Sequence, residues 1–242
     1  MSRVESVLNA IFEALFPRRC VGCGEIITTQ DSFCDYCFEM LPKTNVDNLC
    51  EKCGCIKKEC QCKYNVFHFS RFTAPFYNDG PAKSGMYAFK FRRKLYFADA
   101  FAEQMALSVK NNFFDVKFDA VTFVPMTPKK ELQRGYNQSY ELAVRIAKIL
   151  NLPLVHKALG CNAKKTIQHK TDFKDRFENV KGVYYPNVSL SGKTILLVDD
   201  IKTTGATLNE CAKALLKAGA LDVYCVTGLI TKRKKKVDKD GN

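Results

Sequence analysis

Two adjacent carboxylates, Asp199 and Asp200, stand at the end of an apolar run and just before a stretch of small hydroxylic residues. The apolar run covers residues 194–198 and is typical of a central parallel strand that is buried on both faces. Ligands of open α/β sheets bind at the carboxyl ends of such strands. Two carboxylates at that edge suit ribose hydroxyls or a magnesium ion. The alternative is a capped helix that follows a strand and leaves both acids exposed.

Five small residues, which begin three positions after Asp200, form a pattern suited to one phosphate group. Their backbone amides and hydroxyls can donate hydrogen bonds to the phosphate. They lead into a predicted helix over residues 207–218, and the N-terminus of a helix carries partial positive charge. The pattern therefore predicts a phosphate site made by Thr203, Thr204, Gly205, Ala206 and Thr207.

Nine of the twelve cysteines lie between positions 20 and 62, in closely spaced pairs that are typical of metal ligands. A secreted disulfide protein does not usually join such a cluster to a long domain with few cysteines. Four thiolates complete a tetrahedron around zinc and leave no position open for water, so the metal would be structural. The first predicted zinc site is Cys20, Cys23, Cys34 and Cys37, with unpaired thiols or a redox role as the alternative.

Five further cysteines follow, and any four of them could close a second tetrahedral site. We assign this site to Cys50, Cys53, Cys60 and Cys62 and leave Cys55 outside it. The alternative is a single zinc ion, with the second set of cysteines reduced and free.

After residue 65 the chain alternates between predicted strands and predicted helices. Apolar residues at helical spacing indicate the helices, and short apolar runs bounded by turn residues indicate the strands. Such alternation implies an α/β fold with a parallel sheet covered by helices, preceded here by a small cysteine-rich zinc module. We expect strands within residues 66–77, 120–124, 194–198 and 223–230, and helices over residues 98–109, 137–150 and 207–218.

The formal net charge of +13 favours an anionic partner or substrate, although eight thiolates and two zinc ions would lower it to about +9. Residues 4–16 are apolar at helical spacing, but Glu5 and Glu13 interrupt them, and the basic pair Arg18 and Arg19 follows them. This order is wrong for a signal peptide, so we expect a packing helix, with a membrane-surface helix as the alternative. No apolar run is long enough to cross a membrane, and we expect a cytoplasmic protein.

Three further motifs precede the predicted central strand in the chain. Residues 89–91 are Phe-Lys-Phe, residues 134–138 are Arg-Gly-Tyr-Asn-Gln, and residues 179–182 are Asn-Val-Lys-Gly, preceded by Gln168 and Arg176. The segment around Asp199 resembles the signature of type I phosphoribosyltransferases. With the cysteine pairs and the other motifs, the chain resembles the ComF family of late competence proteins. One departure is Thr171, where the family usually has leucine.

The resemblance implies a type I phosphoribosyltransferase fold that binds phosphoribosyl pyrophosphate (PRPP) with Mg²⁺. Asp199 and Asp200 would contact the ribose hydroxyls, directly or through water on the metal, and would place negative charge near the reacting sugar. Residues 203–207 would hold the 5′-phosphate. Arg134 would lie near the pyrophosphate, with a surface arginine that caps the loop as the alternative. Residues 164–181 form a cover over the site or an exposed charged connection.

The resemblance also implies a role in natural competence, with single-stranded DNA and a competence helicase or motor protein as partners. Phosphoribosyl transfer to an unidentified acceptor is compatible with that role. The alternative is a housekeeping phosphoribosyltransferase that does not bind nucleic acid and whose zinc module is purely structural.

Residues 89–97 contain both basic and aromatic side chains. This composition suits a nucleic-acid surface, with phosphate contacts from the basic residues and base stacking on the aromatic rings. The alternative is an amphipathic element whose aromatic side chains are buried in the core. We divide the chain into a zinc module at residues 1–65, a phosphoribosyltransferase-like domain at residues 66–230 and a basic tail at residues 231–242.

Overall fold

The computed structural model describes residues 17–28, 31–60, 62–63, 66–162 and 175–232. The predicted N-terminal helix, Gln168, Thr171, most of the predicted cover and the basic tail from residue 233 lie outside the described residues. Within the described ranges, no helix has both the length and the apolar character needed to cross a membrane.

A parallel sheet of five strands forms the centre of the larger domain. The strands are β1 (Phe72–Thr73), β2 (Phe76–Tyr77), β3 (Ala120–Phe123), β6 (Thr194–Lys202) and β7 (Asp222–Ile230), and β4 (Leu159–Cys161) pairs antiparallel with β5 (Tyr184–Pro186) outside the sheet. The main path runs β1, β7, β6, β3, and β2 pairs with the carboxyl end of β7. All pairings in the five-stranded sheet are parallel, which confirms the predicted α/β class.

Helices cover both faces of this sheet. The helices of the described residues are α1 (Asp35–Glu39) in the cysteine module and α2 (Gly80–Phe91), α3 (Phe97–Asn112), α4 (Pro128–Arg134), α5 (Gln138–Leu150), α6 (Asp175–Asn179) and α7 (Ala206–Lys217) after it. Successive residues of a strand point to opposite faces, so Leu196 and Val198 pack with α2, α3 and α5. Ile195 and Leu197 pack with α7 on the other face. The central strand is thus buried on both sides, as its apolar run predicts.

Several elements differ from the sequence prediction. The central strand continues past residue 198 to Lys202, because its pairing with β7 extends to Ile230. Residues 66–77 were predicted to form a strand pair or one long strand, and they contain the pair β1 and β2, with Pro75, which has no amide hydrogen to donate, between the two strands. Helices α2 and α4 were not predicted.

The cysteine module packs against the domain at two separate places. A Cβ on Gly22, in the turn formed by residues 20–24 (the first knuckle), would lie 2.7 Å from Cβ of Pro81 at the start of α2. A Cβ on Gly54, in the turn formed by residues 50–54 (the second knuckle), would lie 2.1 Å from Cδ1 of Phe72 in β1. Only glycine permits these close approaches, so each knuckle packs against its own site on the domain.

Candidate functional site

Asp199 lies near the carboxyl end of β6 and is partly buried. Its Oδ1 accepts hydrogen bonds from the Ser139 hydroxyl at 2.7 Å and from the Asp200 amide at 2.9 Å. Burial, followed by the negative charge of Asp200, raises the pKa of Asp199 to about 7, against the lowering effect of Ser139 and Lys90. The carboxyl therefore gains or loses its proton near neutral pH, which is typical of functional sites.

Asp200 is only 8% exposed and faces a cation. Its Oδ2 lies 2.8 Å from Nζ of Lys90, whose side chain is 15% exposed. Lys90 comes from the last turn of α2, so this helix brings a positive charge to the edge of the sheet. The two neighbouring acids thus have different partners: Asp200 is paired with an ammonium group, whereas Asp199 is held by uncharged donors. The ammonium offsets the charge of one carboxylate and leaves the other available to a sugar hydroxyl or a metal ion.

The predicted phosphate loop turns from β6 into α7 at residues 203–205. Gly205 has a φ of +86°, a conformation that favours glycine. The amides of Thr203, Thr204 and Gly205 make no hydrogen bond to another described residue, whereas the Thr204 hydroxyl accepts one from the Ala206 amide at 3.3 Å. Backbone donors are therefore collected at the N-terminus of a twelve-residue helix, an arrangement that can bind a phosphate.

Thr207 lies in the first turn of α7, near the Tyr184 phenol of β5. Burial raises the pKa of Tyr184 far above its ordinary value, so the phenol remains protonated at neutral pH. Thr207 thus lies beside β5, at the N-terminal end of the helix that follows the predicted phosphate loop.

Arg134 is the last residue of α4 and is partly buried. Its Nη1 donates to Oε1 of Gln138 at 2.9 Å, and its guanidinium carbon lies 5.2 Å from the centre of the Phe91 ring. Gln138 is the first residue of α5, and the next residue, Ser139, binds Asp199. The first turn of α5 therefore joins Arg134 to the acidic pair through two consecutive side chains.

Asn137 holds that first turn against the end of β3. Its Oδ1 accepts from the amides of Ser139 and Tyr140 at 3.0 and 3.3 Å, which caps α5. Its Nδ2 donates to the carbonyl of Val124 at 3.2 Å. This buried amide fixes the helix start relative to the sheet, and the predicted helix boundary at residue 137 is its cap.

The cysteines form two compact groups of four. Within each group the sulfurs all lie within 4.8 Å of one another, and the groups are Cys20, Cys23, Cys34, Cys37 and Cys50, Cys53, Cys60, Cys62. The sulfurs of Cys50 and Cys62 are 3.8 Å apart, as are those of Cys53 and Cys60. A tetrahedron with zinc–sulfur bonds of about 2.3 Å requires a sulfur separation of about 3.8 Å. The donor type, the number of donors and the spacing fit a structural zinc ion in each group.

Cys55 lies outside both groups, and Lys202 lies near it. No motif singles out Lys202, yet it is 2% exposed, and its ammonium lies 5.1 Å from the centre of the Phe72 ring. Burial lowers the pKa of Lys202, and the charges of Cys55 and Cys53 act in the opposite direction.

Sequence reasoning missed three residues that organise the site: Lys90, Ser139 and Asn137. Lys90 stood out only as part of a family motif, and its partner Asp200 lies far away in the chain. Asn137 carried a local signal, because asparagine before an amphipathic helix is a common cap. Ser139 carried none, since a serine in a first helical turn usually contacts solvent.

Comparison with known families matches two parts of the chain. The "Double zinc ribbon domain" matches residues 11–63, and the "Phosphoribosyl transferase domain" matches residues 137–242. These matches cover the cysteine module and the half of the larger domain that holds the acidic pair and the phosphate loop.

Several curated proteins are similar over most of the chain. "Competence protein ComFC" of Streptococcus pneumoniae is 30% identical over 232 residues, which is 85% of this chain and 96% of the relative. "Competence protein F" of Haemophilus influenzae is 25% identical over 226 residues, covering 86% and 95%. "DNA utilization protein YhgH" of Escherichia coli is 24% identical over 212 residues, covering 86% and 88%.

Proposed function

Because this chain belongs to the ComF family of competence proteins, we propose that it binds PRPP with Mg²⁺ and works in the handling of DNA during uptake. The names of the relatives support the biological role, and the site supports the ligand. One observation supports PRPP as the ligand: Asp199 and Asp200 lie beside a loop whose backbone amides lie at the N-terminus of α7.

Each part of PRPP has a group of suitable chemistry in the site. The amides of residues 203–205 would bind the 5′-phosphate, and the carboxylates of Asp199 and Asp200 would accept hydrogen bonds from the ribose hydroxyls. Arg134 would face the pyrophosphate, because guanidinium binds phosphate oxygens through paired hydrogen bonds. Carboxylate oxygens are also the ligands that Mg²⁺ prefers, and the metal would neutralise the pyrophosphate charge.

Calorimetry with PRPP and Mg²⁺ tests this assignment. We expect Asp199→Asn combined with Asp200→Asn to abolish binding, because the ribose hydroxyls lose both acceptors. Asp115→Asn is the matched control, since it removes an exposed carboxylate that pairs with Arg71 outside the site. Unchanged affinity in the double variant would refute the proposed site.

Phosphoribosyl transfer to an acceptor is the enzymatic form of this proposal. The chain's own residues would orient the sugar and place the Asp199 and Asp200 carboxylates near the positive charge that develops on it as pyrophosphate leaves. A pyrophosphate-release assay with a panel of bases and amines measures turnover directly. Release that depends on one acceptor would establish transfer, whereas tight PRPP binding with no release would leave a ligand-binding role.

A second candidate function, binding of single-stranded DNA, is favoured by an exposed surface at the end of α2. The aromatic–basic patch comprises Tyr87, Phe91, Arg92, Lys94 and Tyr96, and its three aromatic residues are 48% to 56% exposed. The ring centres of Tyr87 and Phe91 lie 4.8 Å apart, with the ring planes tilted by 43°, while Phe89 and Phe97 of the same segment are buried. The outward rings can stack on bases, and the basic residues between them can contact phosphates.

Fluorescence anisotropy with a labelled oligonucleotide tests the patch. Tyr87→Ala with Phe91→Ala should weaken binding about tenfold or more, because each lost stacking contact is worth about 1–3 kcal/mol. The dependence of affinity on salt should remain, since the basic residues are kept. Phe114→Ala removes a ring that is 83% exposed elsewhere and should bind like the parent. Equal affinity of all three proteins would exclude the patch.

A further inference from the structure

The second cysteine group packs against the element that carries the phosphate loop. Its knuckle residue Gly54 has a φ of +66° and lies so close to Phe72 that a Cβ would come within 2.1 Å of that ring. The Phe72 amide also donates to the carbonyl of Glu51 at 2.8 Å. Gly54 lines a small cavity together with Thr203 and Thr204 of the loop. The knuckle and the phosphate loop are therefore neighbours.

The Lys202 side chain lies between the second knuckle and the phosphate loop. Its ammonium lies 5.1 Å from the centre of the same Phe72 ring, and its Cε lies 3.0 Å from the position of a Cβ on Gly205. The side chain is 2% exposed, so it fills the interior between the knuckle and the loop. Gly54, Phe72, Lys202 and Gly205 thus form a continuous series of contacts from the metal module to the phosphate site.

The charges of these groups complement each other. A zinc ion with four thiolates carries a net charge of about −2. A buried ammonium is costly unless an opposite charge compensates it. The second group is adjacent, because Gly54, next to Cys53, contacts the Phe72 ring and the Lys202 ammonium lies 5.1 Å from the centre of that ring. Loading of the second group with zinc would therefore favour the buried position of Lys202.

The linker after the second group is fixed to the same loop. In the first turn of α7, Asn209 accepts from the His68 amide at 2.6 Å and donates to the Val66 carbonyl at 3.0 Å. Between them, the Phe67 ring lies 3.4 Å from the position of a Cβ on Gly205. The phosphate loop is thus contacted both by the linker and by Lys202.

We propose that Lys202 is a positioning residue that couples zinc binding at the second cysteine group to the order of the phosphate loop. The inference rests on the proposed function in taking residues 203–207 as the phosphate site. The first group lies elsewhere: its Gly22 packs on Pro81, and a Cβ on Gly85 of α2 would lie 2.6 Å from Val21. Metal in the first group should therefore have no such effect on the loop.

Lys202→Met tests the coupling, because methionine keeps most of the apolar length and removes the charge. We expect faster hydrogen exchange at the amides of Ala206 and Asn209, which donate to the Thr204 hydroxyl and the Gly205 carbonyl of the loop. We also expect faster release of one zinc ion to a chelator and PRPP affinity weaker by about 10- to 100-fold. Unchanged exchange and unchanged zinc release would overturn the proposal. Both readouts are independent of PRPP, so failure of the parent protein to bind PRPP would count against the proposed function alone.

A pair of cysteine variants separates coupling from general destabilisation. Cys62→Ser impairs the second group and should accelerate exchange in the loop, whereas Cys23→Ser impairs the first group and should leave the loop unchanged. Combining Lys202→Met with Cys62→Ser should add nothing to the exchange rate of Cys62→Ser alone, because both act through one interaction. Equal effects of the two cysteine variants on the loop, or additive effects in the double variant, would contradict the coupling.

Discussion

Asp199 and Asp200 are identical in type and adjacent in sequence, yet the fold gives them different surroundings. Lys90 neutralises Asp200, whereas Asp199 has a hydroxyl and an amide as its direct donors. Burial and the neighbouring charge make ionisation of Asp199 unfavourable, which a purely structural position would avoid. Residues that disfavour the unliganded fold in this way are expected at sites that serve a ligand.

Replacement of Asp199 by asparagine should therefore stabilise the unliganded protein at alkaline pH. The folded state raises the pKa of Asp199 from 3.8 to about 7, so it binds the proton more tightly than the unfolded chain. Stability from this group is present below about pH 4 and is lost as the pH rises to about 7. Asp199→Asn should increase the free energy of unfolding at pH 8 by up to about 4 kcal/mol and change it little at pH 4.

Urea denaturation of both proteins at several pH values measures this effect. Asp115→Asn is an informative control, because Arg71 lowers the pKa of Asp115 and gives the opposite sign. A free-energy difference between Asp199→Asn and the parent that does not grow with pH would contradict the raised pKa.

At the residue scale the sequence indicated that two acids and a turn of small residues lie at the end of a strand, but it did not show the partners of the acids. A paired acid followed by small residues is a local pattern, and local patterns are visible in one sequence. The Lys90–Asp200 pair joins two distant segments. Lys202 is hidden for another reason, since a lysine near the end of a strand is ordinarily exposed.

At the scale of elements, the first turn of α5 organises the site. It carries Ser139 to Asp199 and Gln138 to Arg134, and Asn137 ties it to the carbonyl that follows β3. A rigid helix start of this kind positions side chains more accurately than a loop does.

Loss of the Asn137 cap should consequently affect both stability and ligand binding. Asn137→Ala removes the helix cap and the hydrogen bond to Val124, which should lower the free energy of unfolding by about 1–3 kcal/mol. PRPP affinity should fall as well, because Ser139 loses its fixed position. Asn151→Gly changes the other end of the same helix, at a φ of +52° that glycine adopts readily, and should preserve both quantities. Thermal unfolding and calorimetry of the two variants measure these effects. Unchanged PRPP affinity in Asn137→Ala would show that Asn137 does not position the site.

Element types were predictable wherever an apolar pattern was strong. The strands β3, β6 and β7 and the helices α3, α5 and α7 follow from periodicity. Helix α2 escaped prediction because its first turn contains Gly80 and Pro81, which are typical of loops, although Asp79 before them is a capping residue. The extension of β6 to Lys202 depends on pairing with β7, which one segment alone does not reveal.

At the scale of the whole molecule, the cysteine module and the α/β domain share their interior. Cys20, Cys37 and Leu41 are buried in one core with residues of α2 and α3, and Cys53 is buried in the other core with residues of α7. The sequence separated the two parts by composition, and composition does not show how parts pack. Because residues of the module are buried in both cores, we expect the module to unfold together with the domain.

Zinc content and thermal unfolding together test this shared interior. Metal analysis should find about two zinc ions per chain, because both groups of sulfurs have tetrahedral spacing. The zinc-loaded protein should then unfold in one transition, and a strong chelator should lower its midpoint, since zinc-binding energy contributes to folding. A content near one zinc ion would remove one of the two sites. Two well-separated transitions in the loaded protein would show that the module folds on its own and that its contacts with the domain contribute little to stability.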